Sequence, residues 1–564
     1  VITRQEALAR LTAPGEPFEL TLIEAGGRQV RAFRHAPATL RDLYATTRSD
    51  RPFLVYEDER LTFEQVWRRS CTLAHALKDR FAVRPGDRVA IAMRNYPEWI
   101  IAFNAVTSIG AIAVCMNALW TPAEMAYGLS HAGVTLMIGD PERLERYQAI
   151  TPAPPAMGLI IARARQPLPT GVCAFAELLF DAETADMPDI PMQPDDDAIM
   201  LYTSGSTGHP KGAVSTHRNI ISALLSWELD AHAAVLAGIL PEPQANAPQG
   251  AMLLGIPLFH VAGSHAAFLA SYRAQRRLVA MYKWDAEEAA RLIAQERITL
   301  FTAPAAVTHD LVEVARRTNR DLSSLAMVGG GGSARAPEQV RAIDSVFANA
   351  RPNTGWGMTE TNAIGTGIAG QDYLDHPSSS GRASAVLDLR IVGPDGQVLG
   401  PLERGELQVR GASLMRGYWR RPDANAEAFA GDWFRTGDVA CLDAEGYLYI
   451  VDRIKDLVIR GGENIGCGAV EAAFLEHPDV IEASVYGVPD ERLGEELGAT
   501  LYCRRPIPAE ELRAFLEPRL ARFQIPRYIS LSDDPLPRIA SGKILKRQLR
   551  EEAVRRVSAG WTGG

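Results

Sequence analysis

Residues 99–120 include no charged side chain, an apolar length sufficient to span a bilayer as one helix. Asn104, Thr107, Ser108, Gly110 and Asn117 interrupt the run, which divides into a helical half ending at Ile109 and a strand-like Ala111-Ile112-Ala113-Val114-Cys115. The better reading is therefore a buried helix–strand unit. The flanking sequence agrees: residues 63–77 have helical periodicity, and the turn Pro85-Gly86-Asp87 leads into the short apolar strand at 88–92. Helix alternating with strand predicts a layered α/β domain.

The same alternation returns downstream. Asp285 stands three residues before Glu288, a capping-box spacing, and Ala289, Leu292 and Ile293 share one helical face before a strand at 298–302 that Pro304 ends. Around 443–451 the texture changes to short strands and turns. Beyond Arg453 the chain restarts as a small α+β unit, with Val470, Ala473 and Phe474 on one helical face, strands at 484–486 and 499–502, and a helix from Glu510. The expected class is α/β: a large N-terminal domain (1–453) of layered α/β subdomains plus a β-rich portion, then a small α+β C-terminal domain (454–564). Residues 240–250, rich in Pro, Ala and Gln, read as a surface loop.

A net charge of −9 without a long run of one sign removes nucleic acid from the expected partners. The basic stretch from Lys543 to Arg556 is broken by Glu551 and Glu552 and reads as an exposed helix. Six cysteines are scattered without a Cys-x-x-Cys pair, which suits a reducing cytoplasm. Residues 1–20 carry Arg4, Glu6, Arg10, Glu16 and Glu19 and no apolar core, so neither a secretory signal nor an integral membrane segment is expected.

The chemistry begins at Tyr202-Thr203-Ser204-Gly205-Ser206-Thr207-Gly208-His209-Pro210-Lys211-Gly212, which follows the apolar Ala198-Ile199-Met200-Leu201. Glycines let backbone N–H groups converge, the hydroxyls donate to anionic oxygens, and Lys211 adds positive charge. The glycine spacing is not that of the G-x-x-x-x-G-K-[ST] loop. Alone, the stretch reads more readily as a flexible Gly/Ser linker than as a phosphate grip. A second cluster, Thr354-Gly355-Trp356-Gly357-Met358-Thr359-Glu360, adds an aromatic plane, a hydroxyl and a carboxylate suited to magnesium. Then come Phe434-Arg435-Thr436-Gly437-Asp438, Asp452-Arg453-Ile454-Lys455-Asp456, Gly461-Gly462-Glu463-Asn464-Ile465 and Pro537-Arg538-Ile539-Ala540-Ser541-Gly542-Lys543-Ile544.

In this order the segments closely resemble the acyl- and aryl-CoA synthetases of the adenylate-forming superfamily, which also contains firefly luciferase and the adenylation domains of peptide synthetases. The resemblance runs from about Leu61 to Leu549. It implies a pyrophosphate grip from Thr203, Ser204, Gly205, Ser206, Thr207, Gly208 and Lys211, and an adenine site from Gly331, Gly332, Ser333, Ala334, Trp356, Gly357, Met358 and Thr359. It further implies a ribose site at Asp438 and Arg453, magnesium on Glu360 and Thr203, a hinge at Lys455, and a thiol-approach loop at Gly461, Gly462 and Glu463. Lys543 takes the place of the catalytic lysine. His260, in Pro257-Leu258-Phe259-His260-Val261-Ala262-Gly263, matches a segment lining the acyl channel on the carboxylate side. Thr354, Gly330 and Ala363 are assigned to its far wall.

The implied activity is ATP-dependent activation of a carboxylic acid through an acyl-adenylate, with transfer to coenzyme A after the mobile C-terminal domain rotates. ATP, Mg2+ and coenzyme A are the implied cofactors. A medium- or long-chain fatty acid is the first choice of substrate and an aryl or arylalkyl acid the second. The rivals are an enzyme that loads a carrier-protein thiol, a light-emitting oxygenase and a nucleotide-binding regulator without turnover. Peripheral membrane contact and a homodimer are compatible with the sequence. Four positions depart from the pattern. Trp356 stands where tyrosine is more frequent, Asp452 replaces a frequent glycine, and Cys467 and Ala469 occupy places commonly held by a proline and an acid.

Overall fold

The computed structural model describes residues 2–563 other than 155–156, 165–166, 180–185, 204–208, 243–246 and 333–334. The uncharged run folds as a helix and a strand. In helix Pro97–Ser108 every residue but Glu98 is buried, and strand Ile112–Cys115 is buried throughout. That strand lies parallel to Arg88–Ala92, pairing Arg88 with Ile112, so the helix between them is the crossover of a βαβ unit. Trp99 stacks on Phe103 at 5.2 Å, and both meet the edge of Phe268 from the segment Ala262–Leu269. A helix packed on every side has no use for charge. No described helix is long and apolar enough to cross a membrane.

Two large sheets share the main hydrophobic core. The first runs in the order Gly417–Tyr418, Lys211–Thr216, Asp197–Thr203, Ile112–Cys115, Arg88–Ala92, Leu136–Gly139, Gly158–Ile161, Val172–Ala174. The second runs Arg382–Ala383, Thr366–Ala369, Arg351–Thr354, Met327–Gly329, Leu300–Thr302, Ala251–Leu254, Arg277–Ala280, Pro52–Tyr56, Glu59–Thr62. Both are mixed sheets with parallel centres. Most of their parallel strands read as short, largely apolar segments because helices cover them. Asp285 caps helix Ala286–Glu296 by accepting from Glu288 N at 2.9 Å, one half of the box that its spacing predicts. Pro304 both follows strand Leu300–Thr302 and precedes helix Ala305–Arg317.

A third, antiparallel sheet contains Leu387–Val392, Gly405–Gly411, Trp433–Leu442 and Leu448–Arg453 and has its own apolar cluster. After Arg453 a turn leads to the last sheet: Val458–Arg460, Glu463–Ile465, Val480–Asp490, Gly494–Cys503 and Tyr528–Ser532. Helices Cys467–Leu475 and Ala509–Leu516 pack against it in a separate core. The architecture is thus a large N-terminal domain followed by a small α+β C-terminal one. The exposed basic helix is Lys546–Ser558, which corrects the expectation for the stretch from Lys543: the sequence Ile539-Ala540-Ser541-Gly542-Lys543 turns back on itself, and Lys543 sits in a hairpin instead.

Candidate active site

The site gathers at the carboxyl ends of parallel strands in the second sheet, the usual place for a ligand in an open α/β sheet. Strand Met327–Gly329 runs into Gly330, Gly331 and Gly332, and its neighbour Arg351–Thr354 runs into Gly355 and Trp356. Thr354 Oγ1 donates to Gly330 O at 3.1 Å, tying the two exits together. Gly332 has φ +93, and a Cβ there would lie 3.5 Å from Lys543 Cε. The lysine stem therefore lies next to this backbone, and it is the positive φ that favours glycine at 332. Ser333 and Ala334, assigned to the same loop, lie outside the described residues.

Trp356 is buried beside Leu414, Met415, Tyr418 and Phe434, and its indole Nε1 donates to Asp438 Oδ2 at 2.7 Å. Arg453 Nε takes the other oxygen, Asp438 Oδ1, at 2.8 Å. Asp438 and Arg453 are register partners on adjacent antiparallel strands, so the pair is set by the sheet itself. Asp438 is only 4% exposed, and two charge-assisted bonds hold its carboxylate in one orientation.

Gly357 and Met358 lead into a short 3-10 turn, Thr359–Thr361, which carries Glu360. Met358 N donates to Thr361 Oγ1 at 3.1 Å, and Met415 N donates to Glu360 O at 2.8 Å. Tyr418 Oη donates to Glu360 Oε1 at 2.7 Å, while Oε2 has no hydrogen-bond partner among the described residues. Burial and the Glu360 carboxylate both push the Tyr418 hydroxyl far above the ordinary tyrosine range, so it remains a donor. The ammonium of Lys211 sits 4.4 Å from the Tyr418 ring centroid. Lys211 pairs with Thr203 across the antiparallel strands that flank the loop, and Thr203 Oγ1 donates to Lys211 O at 3.4 Å. Ser204, Gly205, Ser206, Thr207 and Gly208 lie outside the described residues. The loop's exit is pinned, since Tyr127 stacks on His209 at 4.3 Å and donates to Pro210 O at 3.1 Å.

Lys543 enters from the C-terminal domain. Burial, and then the like charge of Arg453, lower its pKa from 10.5 to about 8, against the opposing pull of Asp438 and Glu360. One partly buried ammonium thus lies within the field of carboxylates from two sequence-distant motifs. His260 lies within its field in turn. Burial, reinforced by the charges of Lys543 and His265, lowers its pKa to about 3, so the imidazole is neutral. Ala262 N donates to His260 Nδ1 at 3.3 Å, which leaves the proton on Nε2. Lys455, in the turn after Arg453, is held below the ordinary lysine range by partial loss of hydration, with Arg453 and Lys211 adding to the effect.

Gly461, Gly462 and Glu463 are not brought to this cluster. They form the tip of a hairpin whose bonds run to Leu493 and Glu495 inside the C-terminal sheet. Cys467 N donates to Asp452 Oδ2 at 2.6 Å, joining two of the positions that depart from the family pattern. Sequence reasoning missed Tyr418, which no motif flagged. It also missed the pair His265–Asn362, in which His265 Nε2 meets Asn362 Oδ1 at 3.0 Å and ties the segment Ala262–Leu269 to the Glu360 turn.

Glu360, whose Oε2 accepts no hydrogen bond among the described residues, is an oxygen donor suited to a hard divalent ion that keeps most of its waters and reaches the protein through phosphate. Among the described residues no three His, Cys, Asp or Glu side chains gather as a closed metal cage.

The sequence profile of the family described as AMP-binding enzyme matches residues 42–419, and that of the AMP-binding enzyme C-terminal domain matches residues 469–543. A feruloyl-CoA synthase of Amycolatopsis sp is 34% identical over 494 residues, covering 87% of this chain and 93% of the relative. A long-chain-fatty-acid–CoA ligase of Mycobacterium tuberculosis is 32% identical over 502 residues, covering 88% and 93%. The solved structure of o-succinylbenzoate CoA synthetase from Bacillus subtilis with its acyl-adenylate intermediate superposes with a TM-score of 0.75 at 30% identity, covering 91% of this chain and 98% of that one.

Proposed function

Because this chain belongs to the AMP-binding enzyme family, we propose that it is an AMP-forming acid–thiol ligase, joining a carboxylic acid to coenzyme A at the expense of ATP. The observation that carries the reading is Lys543, partly buried against Gly332 and within the field of Asp438, Arg453 and Glu360. A substrate carboxylate oxygen must attack the α-phosphorus of ATP while the α–β phosphoanhydride bond breaks and pyrophosphate leaves. Two anions approach, and each uncompensated unit charge at about 4 Å costs about 4 kcal/mol at an effective dielectric near 20. Lys543 holds the carboxylate and the α-phosphate together. Lys211 and the loop from Thr203 take the leaving pyrophosphate, and Asp438, fixed by Trp356 and Arg453, takes the ribose hydroxyls. Glu360 and Thr203 would hold magnesium, which would supply charge neutralisation at the phosphates. Neutral His260 offers its Nε2–H to a carboxylate oxygen of the acid. Coenzyme A sulfur then attacks the acyl carbon, the acyl–phosphate bond breaks, and AMP departs.

For the acid, an extended apolar chain is the first choice. Ala262, Ala266 and Ala270 are the partly exposed positions of an otherwise buried segment beginning two residues after His260, and this stripe of small side chains supports a long, narrow channel. An aryl acid is the second reading, favoured by the feruloyl-CoA synthase among the relatives. We place the protein in a reducing compartment, since none of its six cysteines forms a disulfide. The test is AMP formation across straight-chain acids of graded length and aromatic acids, with and without coenzyme A. Turnover that rises with chain length and requires coenzyme A supports the first reading. Turnover confined to aromatic acids replaces it with the second, and no AMP with any acid overturns the ligase.

A further inference from the structure

Lys543 is placed by groups that lie outside the cluster it serves. Its hairpin closes through Ile539 N to Lys543 O at 2.8 Å and the bridge between Arg538 and Ile544. From that hairpin Arg538 reaches into the N-terminal domain. Nη1 donates to Asp310 Oδ2 at 2.8 Å and Nη2 to Asp310 Oδ1 at 3.1 Å, a two-pronged grip, while Nη2 also meets Glu482 Oε1 of the C-terminal sheet. Glu482 is buried, and its second oxygen accepts Leu536 N at 2.6 Å. Asp310 Oδ2 also accepts Trp284 Nε1 at 2.9 Å.

Asp310 lies on helix Ala305–Arg317, and residues three apart on a helix share a face. Val307, Asp310 and Glu313 all turn toward the C-terminal domain. A Cβ on Gly542 would lie 2.5 Å from Val307 Cγ2, so only glycine lets the hairpin seat there. Glu313 Oε2 accepts Arg504 Nη2 at 2.7 Å, with the Arg504 side chain 43% exposed against 20% for Arg538. The two cross-domain ion pairs therefore differ in kind. The Arg504 pair is a solvated rim contact of small expected worth. The Arg538 clamp is sheltered and bidentate, and its loss leaves Asp310 and Glu482 without their counter-charge.

We infer that Arg538 is a positioning residue for acid activation: clamped between Asp310 and Glu482, it seats the hairpin that delivers Lys543 to the phosphate site. The inference rests on the reading of Lys543 given above. It predicts a split between the two half-reactions, because thiolysis of a finished acyl-adenylate makes no use of the seated lysine. Acid-dependent exchange of pyrophosphate into ATP reports the first half, and thioester formation from supplied acyl-adenylate and coenzyme A reports the second. Arg538→Met should slow exchange about 10- to 100-fold while thioester formation stays within about 2-fold of the parent. Arg538→Lys should recover part of the exchange, and Arg504→Ala should stay within about 2-fold in both assays. Asp310→Asn attacks the clamp from the other domain while still accepting from Trp284. It should reproduce the split, and it carries the test should Arg538→Met fail to fold. Exchange unchanged in Asp310→Asn and in any folded Arg538→Met, or equal loss of both steps, overturns the inference. A Lys543→Ala enzyme that keeps its exchange rate would instead overturn the assignment of Lys543 itself.

Discussion

Two hairpins each bring a lysine to the proposed phosphate site, and they hold it by different means. Lys211 opens a strand of the first sheet, is in register with Thr203 eight residues earlier, and rests over Tyr418 of the adjoining strand. Its position follows from local strand pairing. Lys543 is carried by a hairpin whose anchor, Asp310, is 228 residues away from Arg538 in sequence, and its pKa is depressed to about 8 by the burial that docking produces. Lys211 is therefore a standing part of the site, whereas Lys543 belongs to it only while the two domains are seated together. In an enzyme that must first join carboxylate to phosphate and then admit a thiol, the conditional lysine is the natural partner of the first step.

The comparison can be broken by exchanging the expected sensitivities. Lys543→Ala should lower pyrophosphate release with acid and ATP by about a thousandfold, the cost of one uncompensated charge at about 4 Å. Lys211→Ala should lose about 10- to 100-fold, because the loop shares the leaving group among several donors. A larger loss at Lys211 would reverse the division of labour. Trp356→Phe keeps an aromatic plane but removes the donor to Asp438. It should raise the KM for ATP about 10-fold with a smaller change in kcat, as expected for about 1.4 kcal/mol lost from a hydrogen bond to a charged group. The smallest effect is that of pH. Lys543 is charged below its pKa of about 8 and neutral above it, so kcat/KM for adenylation should be level at lower pH and fall as pH rises through about 8. Lys543→Arg, in whatever activity it keeps, should lose that alkaline limb because a guanidinium stays protonated.

The chemistry-bearing residue types were legible wherever a motif is local. The uncharged run with its flanking strand marked the βα core, because that pattern follows from burial over a few residues. What could not be read is what depends on contacts between distant segments. Trp356 and Asp438 are 82 residues apart, Tyr418 and Glu360 are 58 apart, and nothing in either local stretch announces its partner. Lys543 was legible in part: its motif marks it, by resemblance, as the catalytic lysine, whereas the basic stretch that begins with it reads as an exposed helix that in fact starts at Lys546. The seating of Lys543 depends on Gly542, where a Cβ would lie 2.5 Å from Val307 Cγ2.

The account is tested most directly by supplying preformed acyl-adenylate and coenzyme A to the Lys543→Ala enzyme and measuring thioester formation beside its rate of adenylate formation. Thioester formation near the parental rate, with adenylate formation reduced about a thousandfold, is the predicted result. Equal loss of both steps would contradict the claim that Lys543 serves only the attack on ATP.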